Sequence, residues 1–306
     1  MNVDLAVVIV SYNTVDHLRR CLGSLQRGLL LRPGLTYKAV VVDNGSTDGT
    51  TGMIAAEFPD VGLLALGENR GFAAANNVAL RHVTARWYLL LNPDTLVLGD
   101  AVGELISFMA EHPAAGVVGG RLLNADLSFQ HSCFRFPTLP MSFFDFFPLN
   151  HRVANSWLNG RYRKRDYNLS FPIDHPLGAC MLVRDETVRQ VGAFDEGFFM
   201  YCEEVDLCYR IKAAGWDIWY TPMAEVIHHG AASTRQVAGP MMVHLRHSRD
   251  RFFRKHYGAT FAFLARQIVR AGLGAAYRND KRELRAGVIR PDELNRRLQL
   301  YSEVME

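Results

Sequence analysis

Three carboxylates crowd into four residues of this chain, Glu203, Glu204 and Asp206, directly after the aromatic run Phe198-Phe199-Met200-Tyr201. Such a cluster is costly to assemble unless a cation or a proton transfer uses it. A second acid stands upstream, where the apolar run Trp87-Tyr88-Leu89-Leu90-Leu91 stops at Asn92-Pro93-Asp94. Proline stiffens that exit and removes a backbone donor. A divalent ion bridging a diphosphate needs only one or two hard oxygen ligands from protein, although a plain Asn-Pro turn accounts for the same residues equally well. One carboxylate at a strand end and another at a helix start is the pattern of an enzyme built around a metal-bound phosphate.

The remaining polar candidates also sit at element ends. Asp43 closes the run Ala39-Val40-Val41-Val42 and opens the turn Asn44-Gly45-Ser46-Thr47-Asp48-Gly49. A carboxylate there can accept from a base N–H or a ribose hydroxyl, although Asp-Asn-Gly is also good turn chemistry by itself. Asp206 and Arg210 are four apart and can pair along one helix. Adjacent helical residues point to different sides, so one of Glu203 and Glu204 is free for chemistry. His228-His229 follows the apolar run Ala224 to Ile227. Alternate strand residues face opposite ways, so at most one of the two can serve a given ion.

The elements that must position these groups follow from periodicity. Leu5 to Val10 is a continuous β-branched run, expected to be a strand buried on both faces. Thr14 is expected to cap a helix carrying Val15, Leu18, Leu22 and Leu25 on one face. Strands at Ala39–Val42, Val61–Leu66 and Trp87–Leu91 alternate with helices at about 50–58 and 73–80. The alternation predicts an α/β fold with a mostly parallel sheet and helices on both faces. Ligands of such sheets bind at the carboxyl ends of strands, where all four polar turns lie. A helix at Ala101–Glu111 and a strand at Gly116–Gly119 follow. Phe129–Phe171, rich in aromatic and basic residues, is expected to be irregular, a lid or acceptor loop. Gly178 to Val183 is a strand, and the acidic cluster opens a helix running to about Ala214.

Composition bounds the class. The chain has 306 residues, 49% of them hydrophobic, which excludes wholesale disorder. Five scattered cysteines fit neither a disulfide framework nor a zinc site. A reducing, cytoplasmic home is expected, with no signal peptide and no membrane-spanning run. From Met241 to Glu306, fourteen Lys and Arg face seven Asp and Glu, a net +7. The body therefore carries −4 of the chain's overall +3. A basic, helical tail can meet an anionic surface or acceptor. Its amphipathic stretches Met241–Tyr257 and Phe261–Leu273 suit peripheral contact with a membrane. The bland reading is that their apolar side packs on the catalytic domain or forms a homodimer contact.

Taken in order, these segments resemble family 2 glycosyltransferases with the GT-A fold, in the rhamnosyltransferase-like branch. The resemblance rests on Val8-Ile9-Val10-Ser11-Tyr12-Asn13, Val41 to Gly49, Glu68-Asn69-Arg70-Gly71-Phe72-Ala73-Ala74-Ala75-Asn76-Asn77 and Leu91-Asn92-Pro93-Asp94. It continues through Gly192-Ala193-Phe194-Asp195-Glu196 and Tyr201 to Arg210, and closes with His228, Gly230 and Ser233. It implies a GT-A fold with a Rossmann-like sheet and a C-terminal helical extension. Residues 1–100 would form the nucleotide-sugar-binding half, 101–240 the acceptor-binding and catalytic half, and 241–306 the extension. Ser11, Asn13, Asp43, Asn69, Arg70, Asn76, Asn92 and Asp94 would line the donor site. Asp94 and His228 would hold a divalent Mg²⁺ or Mn²⁺. Asn92 replaces the first acid of the family's Asp-x-Asp motif, a departure shared with the rhamnosyl-like branch. The family's catalytic base is the Asp of a Glu-Asp pair. Glu204 occupies that position here, its carboxylate one methylene further out, with Glu203, Asp206 and Arg210 in support.

The implied reaction is inverting transfer from a nucleoside diphosphate sugar, dTDP-rhamnose being one candidate. The acceptor would be a saccharide or lipid-linked molecule in surface polysaccharide synthesis. No nucleic-acid partner is expected. A sugar nucleotidyltransferase and a non-catalytic carbohydrate-binding relative are the alternatives. Against the first, this chain shows no Gly-rich, basic phosphate loop near its first strand, and retention of an acid at position 204 argues against the second.

Overall fold

The computed structural model describes residues 3–147, 153, 156–230 and 238–305. Ser233, the last residue of the resemblance, lies outside them. The chain divides into two compact units. The first comprises residues 1–136, 162–199 and 203–236, and the second residues 137–161, 200–202 and 237–306.

The first unit is built on one mixed, mostly parallel sheet. Strand β1 (Val3–Ser11) pairs in parallel with β2 (Tyr37–Asp43) and β4 (Ala85–Leu91), and β2 pairs in parallel with β3 (Gly62–Ala65). The unbroken apolar run of β1 is needed because both faces are covered. Leu5, Val7 and Ile9 pack with Leu18, Leu22 and Leu25 of helix α1 (Val15–Leu29). Val8 and Val10 face Ala73, Ala75 and Ala79, on the helix that follows β3. The period of two thus splits one strand between two core layers. Helices α2 (Thr50–Glu57), α3 (Phe72–His82) and α4 (Ala101–Glu111) complete the alternation.

The far side of the sheet departs from simple alternation. Beyond β4 the order runs β11 (Cys180–Arg184), β6 (Ala115–Leu123), β12 (Asp217–His228) and β5 (Thr95–Val97). Strand β11 is antiparallel to both neighbours, and β5 is antiparallel to β12. An antiparallel strand begins where its parallel neighbours end. The start of β11 therefore lies beside the end of β4, where Asn92 N–H donates to Ala179 O at 2.9 Å.

Two expectations are corrected here. Thr14 precedes α1 but does not cap it, since its hydroxyl bonds Ser11 Oγ at 2.9 Å. Asp48 supplies the cap, accepting from Val15 N–H at 2.9 Å and from Thr50 at the start of α2. The stretch Phe129–Phe171 is irregular but, where described, anchored. It holds β7 (Phe129–Gln130), β8 (Cys133–Phe134), β9 (Phe171–Pro172) and a 3-10 turn at Lys164–Asn168. Tyr167, 1% exposed, donates its hydroxyl to Cys133 O at 3.0 Å. Strand β10 (His175–Pro176) pairs with β8. Helix α6 (Asp185–Val191) precedes α7 (Glu203–Ala213), which carries the acidic cluster.

In the second unit, α5 (Leu139–Phe144) accompanies α8 (Ala238–His256), α9 (Ala259–Arg285) and α10 (Pro291–Met305). Val243, Leu273 and Val304 form its core with Phe146 against them. Gly272 permits the closest approach, since a Cβ there would stand 2.2 Å from the Phe146 ring. Much of the tail's amphipathic pattern is consumed by this packing. Phe252 and Phe253 are buried, and Arg246 and Arg249 both pair with Asp145. All five cysteines are buried and none forms a disulfide. No helix among the described residues is long and apolar enough to cross a membrane.

Candidate active site

The polar turns at the strand ends are bonded to one another. Ser11 and Asp43 are aligned across β1 and β2, so their loops leave the sheet at one level. Asn13, with φ of 53°, accepts from Thr47 N–H at 2.8 Å, and its own N–H donates to Ser46 Oγ at 2.9 Å. Asp43 is 2% exposed; its Oδ2 accepts from Ser46 N–H at 3.1 Å, while its buried Oδ1 has no partner among the described residues. An orphan carboxylate oxygen in a loop cradle is an acceptor held ready for a ligand donor.

The next loop is tied to the first by Asn44. Its Nδ2 donates to Asn69 Oδ1 at 2.9 Å, and its Oδ1 accepts from Arg70 N–H at 2.9 Å. Asn69 and Arg70 are exposed, and the Arg70 guanidinium meets only Glu68, at 3.2 Å. Ser11 and Asn76 are buried instead, and Asn76 donates to Phe72 O within its own helix. Gly71, with φ of 83°, lets the Phe199 carbonyl approach and accept from Phe72 N–H at 2.7 Å; a Cβ there would stand 2.3 Å from that oxygen. Asn77 adds a second tie, donating to Phe194 O at 2.9 Å and accepting from Phe194 N–H at 3.0 Å.

The acidic cluster separates into a pin and a reactive pair. Asp206, fully buried, accepts from Arg210 Nε at 2.8 Å. The same guanidinium donates to the carbonyls of Val191, Gly192 and Ala193. These two residues hold the 191–193 turn. Glu203 and Glu204 open α7 after Tyr201 and Cys202, both in left-handed backbone at φ of 68° and 62°. Two consecutive non-glycine residues there store strain that re-aims the chain into the helix. Each glutamate keeps one buried carboxylate oxygen with no partner among the described residues. Burial pushes the Glu204 carboxyl up to about 7. Glu203 lies well above the carboxylate range, first from burial and then from the charge of Glu204. The pair therefore resists carrying two charges, and both carboxyls hold their protons to higher pH than an ordinary glutamate. A carboxylate of that basicity suits a general base at physiological pH.

Asp94 and Glu204 are joined by a short path. The Glu204 side chain lies over Gly178, and the adjacent Ala179 carbonyl holds Asn92 N–H. Asp94 is 7% exposed, with its carbonyl accepting from His229 N–H at 3.0 Å. Pairing of β5 with β12 sets His228 opposite Thr95 and brings His228 Nε2 to 3.5 Å from Asp94 Oδ1. Burial lowers the His228 pKa, although Asp94 opposes that shift. The His229 ring turns elsewhere, 5.4 Å from His17. His228 is the last residue of β12 and faces Asp94, while His229 lies beyond the strand. His17 and Gln130, whose Oε1 stands 2.9 Å from His228 Nδ1, carried no signal in the sequence.

Among the described residues no three His, Cys, Asp or Glu side chains could together hold a metal. The neutral ring and the carboxylate do fit a cation shared with a ligand's phosphates. Mg²⁺ and Mn²⁺ sites of that kind take few protein groups.

Comparison with known proteins identifies the family and the fold. The model of the family described as "Glycosyl transferase family 2" matches residues 6–192. An N-acetylglucosaminyl-diphospho-decaprenol L-rhamnosyltransferase of Mycobacterium tuberculosis is 32% identical over 252 residues, 78% of this chain and 81% of the relative. The rhamnosyltransferase WbbL of Escherichia coli is 26% identical, over 86% of this chain and 93% of WbbL. Among solved structures, a mannosyltransferase from Pyrobaculum calidifontis, in complex with GDP-Man and Mn²⁺, superposes with a TM-score of 0.58 at 17% identity, covering 100% of this chain and 86% of that one. The fold is that of the GT-A enzymes. With a family match over more than half its length and rhamnosyltransferase relatives along most of it, the chain belongs to glycosyl transferase family 2, in its rhamnosyltransferase-like branch.

Proposed function

We propose that this glycosyltransferase uses Glu204 as its base and Asp94 with His228 as its cation site, and moves L-rhamnose from a nucleoside diphosphate donor to a lipid-linked saccharide. The observation that carries the reading is the Glu204 carboxylate beside Gly178, one of its oxygens buried with no partner among the described residues, one residue from the Ala179–Asn92 bond that leads to Asp94. The relatives named for rhamnosyl transfer, one of them to a decaprenol-linked sugar, support donor and acceptor class.

In this scheme residues 1–100 bind the nucleotide sugar, with Asp43 Oδ1 accepting from base or ribose. Asn13, Asn69 and Arg70 border it, while Ser11 and Asn76 hold the loops. Residues 101–240 carry the acceptor face and the base. Glu204 takes the proton of the acceptor hydroxyl as its oxygen attacks the anomeric carbon. The bond from that carbon to the diphosphate breaks, its electron pair leaves with the diphosphate, and configuration inverts. A bound Mg²⁺ or Mn²⁺ would neutralise the charge developing on the leaving group. A panel of nucleotide sugars with a lipid-diphosphate-linked N-acetylglucosamine acceptor, scored by nucleoside diphosphate release, tests this. Release from dTDP-rhamnose above the other donors is expected, and a different preferred donor overturns the rhamnose assignment.

One face of α9 supports peripheral contact with an anionic membrane. Phe263 and Leu264, 58% and 46% exposed, lie on the same side as Arg270, Arg278, Lys281, Arg282 and Arg285 at ~100° per residue. The only acids of that helix, Asp280 and Glu283, are engaged by Arg297. The face is therefore basic, apolar at one end and uncompensated within its own helix.

A further inference from the structure

The orientation of one amide fixes which nitrogen of His228 can bind. Gln130 Nε2 lies 3.2 Å from the His228 carbonyl and 3.0 Å from Asn124 Oδ1. A backbone carbonyl only accepts, so this end of Gln130 must be its NH₂. Asn124 is set the same way, its Nδ2 donating to the Phe129 carbonyl at 3.3 Å and to Ser128 Oγ at 2.8 Å. Its oxygen therefore faces Gln130. With both amides set by main-chain carbonyls, Gln130 Oε1 is left for His228 Nδ1 at 2.9 Å, and the ring must donate there. A neutral imidazole with its proton on Nδ1 has a lone pair on Nε2, and that atom faces Asp94 Oδ1 at 3.5 Å. Two acceptors face each other, which is unfavourable for the bare pair and suited to a cation between them.

We infer that Gln130 is a positioning residue that locks His228 in its Nδ1–H tautomer and so presents the Nε2 lone pair to the cation site. The inference rests on the cation reading given above. Partners that orient a ligating histidine are typically worth 10–100-fold in metal affinity. Without Gln130, the ring can place its proton on Nε2 and donate it to Asp94, which closes the site against a cation. Gln130 touches neither donor nor acceptor in this scheme, so its effect travels through the ring alone.

The test uses the full chain in three forms: wild type, Gln130→Leu and Gln130→Glu. Long-range ¹H–¹⁵N correlation reads the His228 tautomer, and Mn²⁺ titration with nucleoside diphosphate, followed by electron paramagnetic resonance, reads affinity. Wild type is expected to show the Nδ1–H form. Gln130→Leu should shift toward Nε2–H and bind Mn²⁺ about 10–100-fold more weakly. Gln130→Glu keeps an acceptor at Nδ1 and should retain the wild-type tautomer, which also controls for a folding defect in the leucine variant. An Nδ1–H tautomer that survives in a folded Gln130→Leu, or Mn²⁺ affinity that does not change there, overturns the inference. A tautomer that shifts as expected in a protein whose wild type binds no Mn²⁺ would instead overturn the cation reading and leave the hold of Gln130 on the ring standing.

Discussion

Glu204 lies against Gly178: a Cβ placed on that glycine would stand 3.6 Å from Glu204 Cβ and Cγ and 3.9 Å from its carboxyl carbon. Those are ordinary contacts, so Gly178→Ala should fold. In the proposed scheme the methyl would crowd the carboxylate that the acceptor hydroxyl must reach. Misplacing reacting groups by about 1 Å costs on the order of 10²-fold. Gly178→Ala should lower kcat/KM for the acceptor by ~10- to 10²-fold while leaving donor binding near wild type. Equal losses toward donor and acceptor in steady-state kinetics would contradict this placement.

Glu204→Gln keeps size and hydrogen bonding but cannot take a proton. Turnover should fall about 10²-fold or more, with donor binding nearly intact. If Glu203→Gln is the crippled variant instead, the base is the other neighbour.

The raised carboxyl of Glu204 also sets two pH dependences of opposite sign. Catalysis needs the carboxylate, so kcat should fall as pH drops through about 7. Stability runs the other way. The folded protein holds this proton more tightly than the unfolded chain, whose carboxyl titrates near 4.5. The contribution is full below about 4.5 and is lost as pH rises through about 7. Glu204→Gln should therefore raise the melting temperature relative to wild type at pH 8 and not at pH 4. Equal shifts at both pH values would rule out ionisation as the cause.

Asp94→Ala removes a side chain that faces His228 and leaves the backbone bond to His229 in place. It should abolish most transfer without unfolding the protein, as judged by circular dichroism. Excess chelator should do the same to wild type, with Mn²⁺ restoring activity. Full activity in chelator would refute the cation site.

The strands and turns of the first half were legible because their signals are local. Parallel strands covered on both faces read as unbroken apolar runs, and β1 and β2 end where their polar residues begin. The pairing of Asp206 with Arg210 follows from helical spacing alone. What stayed hidden depends on partners distant in sequence. Asp48, not Thr14, caps α1, because the loop carrying it folds back over that helix. Gln130 is separated from His228 by 98 residues, and no local pattern names either as the other's neighbour. The antiparallel entry of β11 between β4 and β6, which brings Ala179 to Asn92, carries no signature of its own, since an apolar strand reads alike in either direction. The tail was legible as helix, but amphipathic periodicity alone did not tell which apolar residues face the unit's own core.

The buried pin of the acidic cluster makes a stability prediction. Arg210→Ala leaves Asp206 fully buried without its charge partner and frees the carbonyls at 191–193. Breaking one side of a buried pair costs ~3–5 kcal/mol. Asp206→Asn with Arg210→Ala together should cost less than the sum of the single changes, measured by denaturant unfolding. Strict additivity would show that the two do not act as a unit.

The last prediction concerns the exposed face of α9. Each basic residue near an anionic surface contributes about 1 kcal/mol, and Phe263 and Leu264 can enter the headgroup boundary. Full-length protein should co-sediment with vesicles containing phosphatidylglycerol and not with neutral ones, and salt should weaken the binding. Arg278→Glu with Arg282→Glu should lose most of it, and Phe263→Ser with Leu264→Ser should lose part of it at constant charge. All four side chains are exposed, so neither pair of changes should alter the fold. Arg254 and Arg266 are already paired with Asp250, so Arg254→Ala should change vesicle binding little. Binding that ignores lipid charge, or that survives reversal at 278 and 282, would remove the membrane as the occupant of this face.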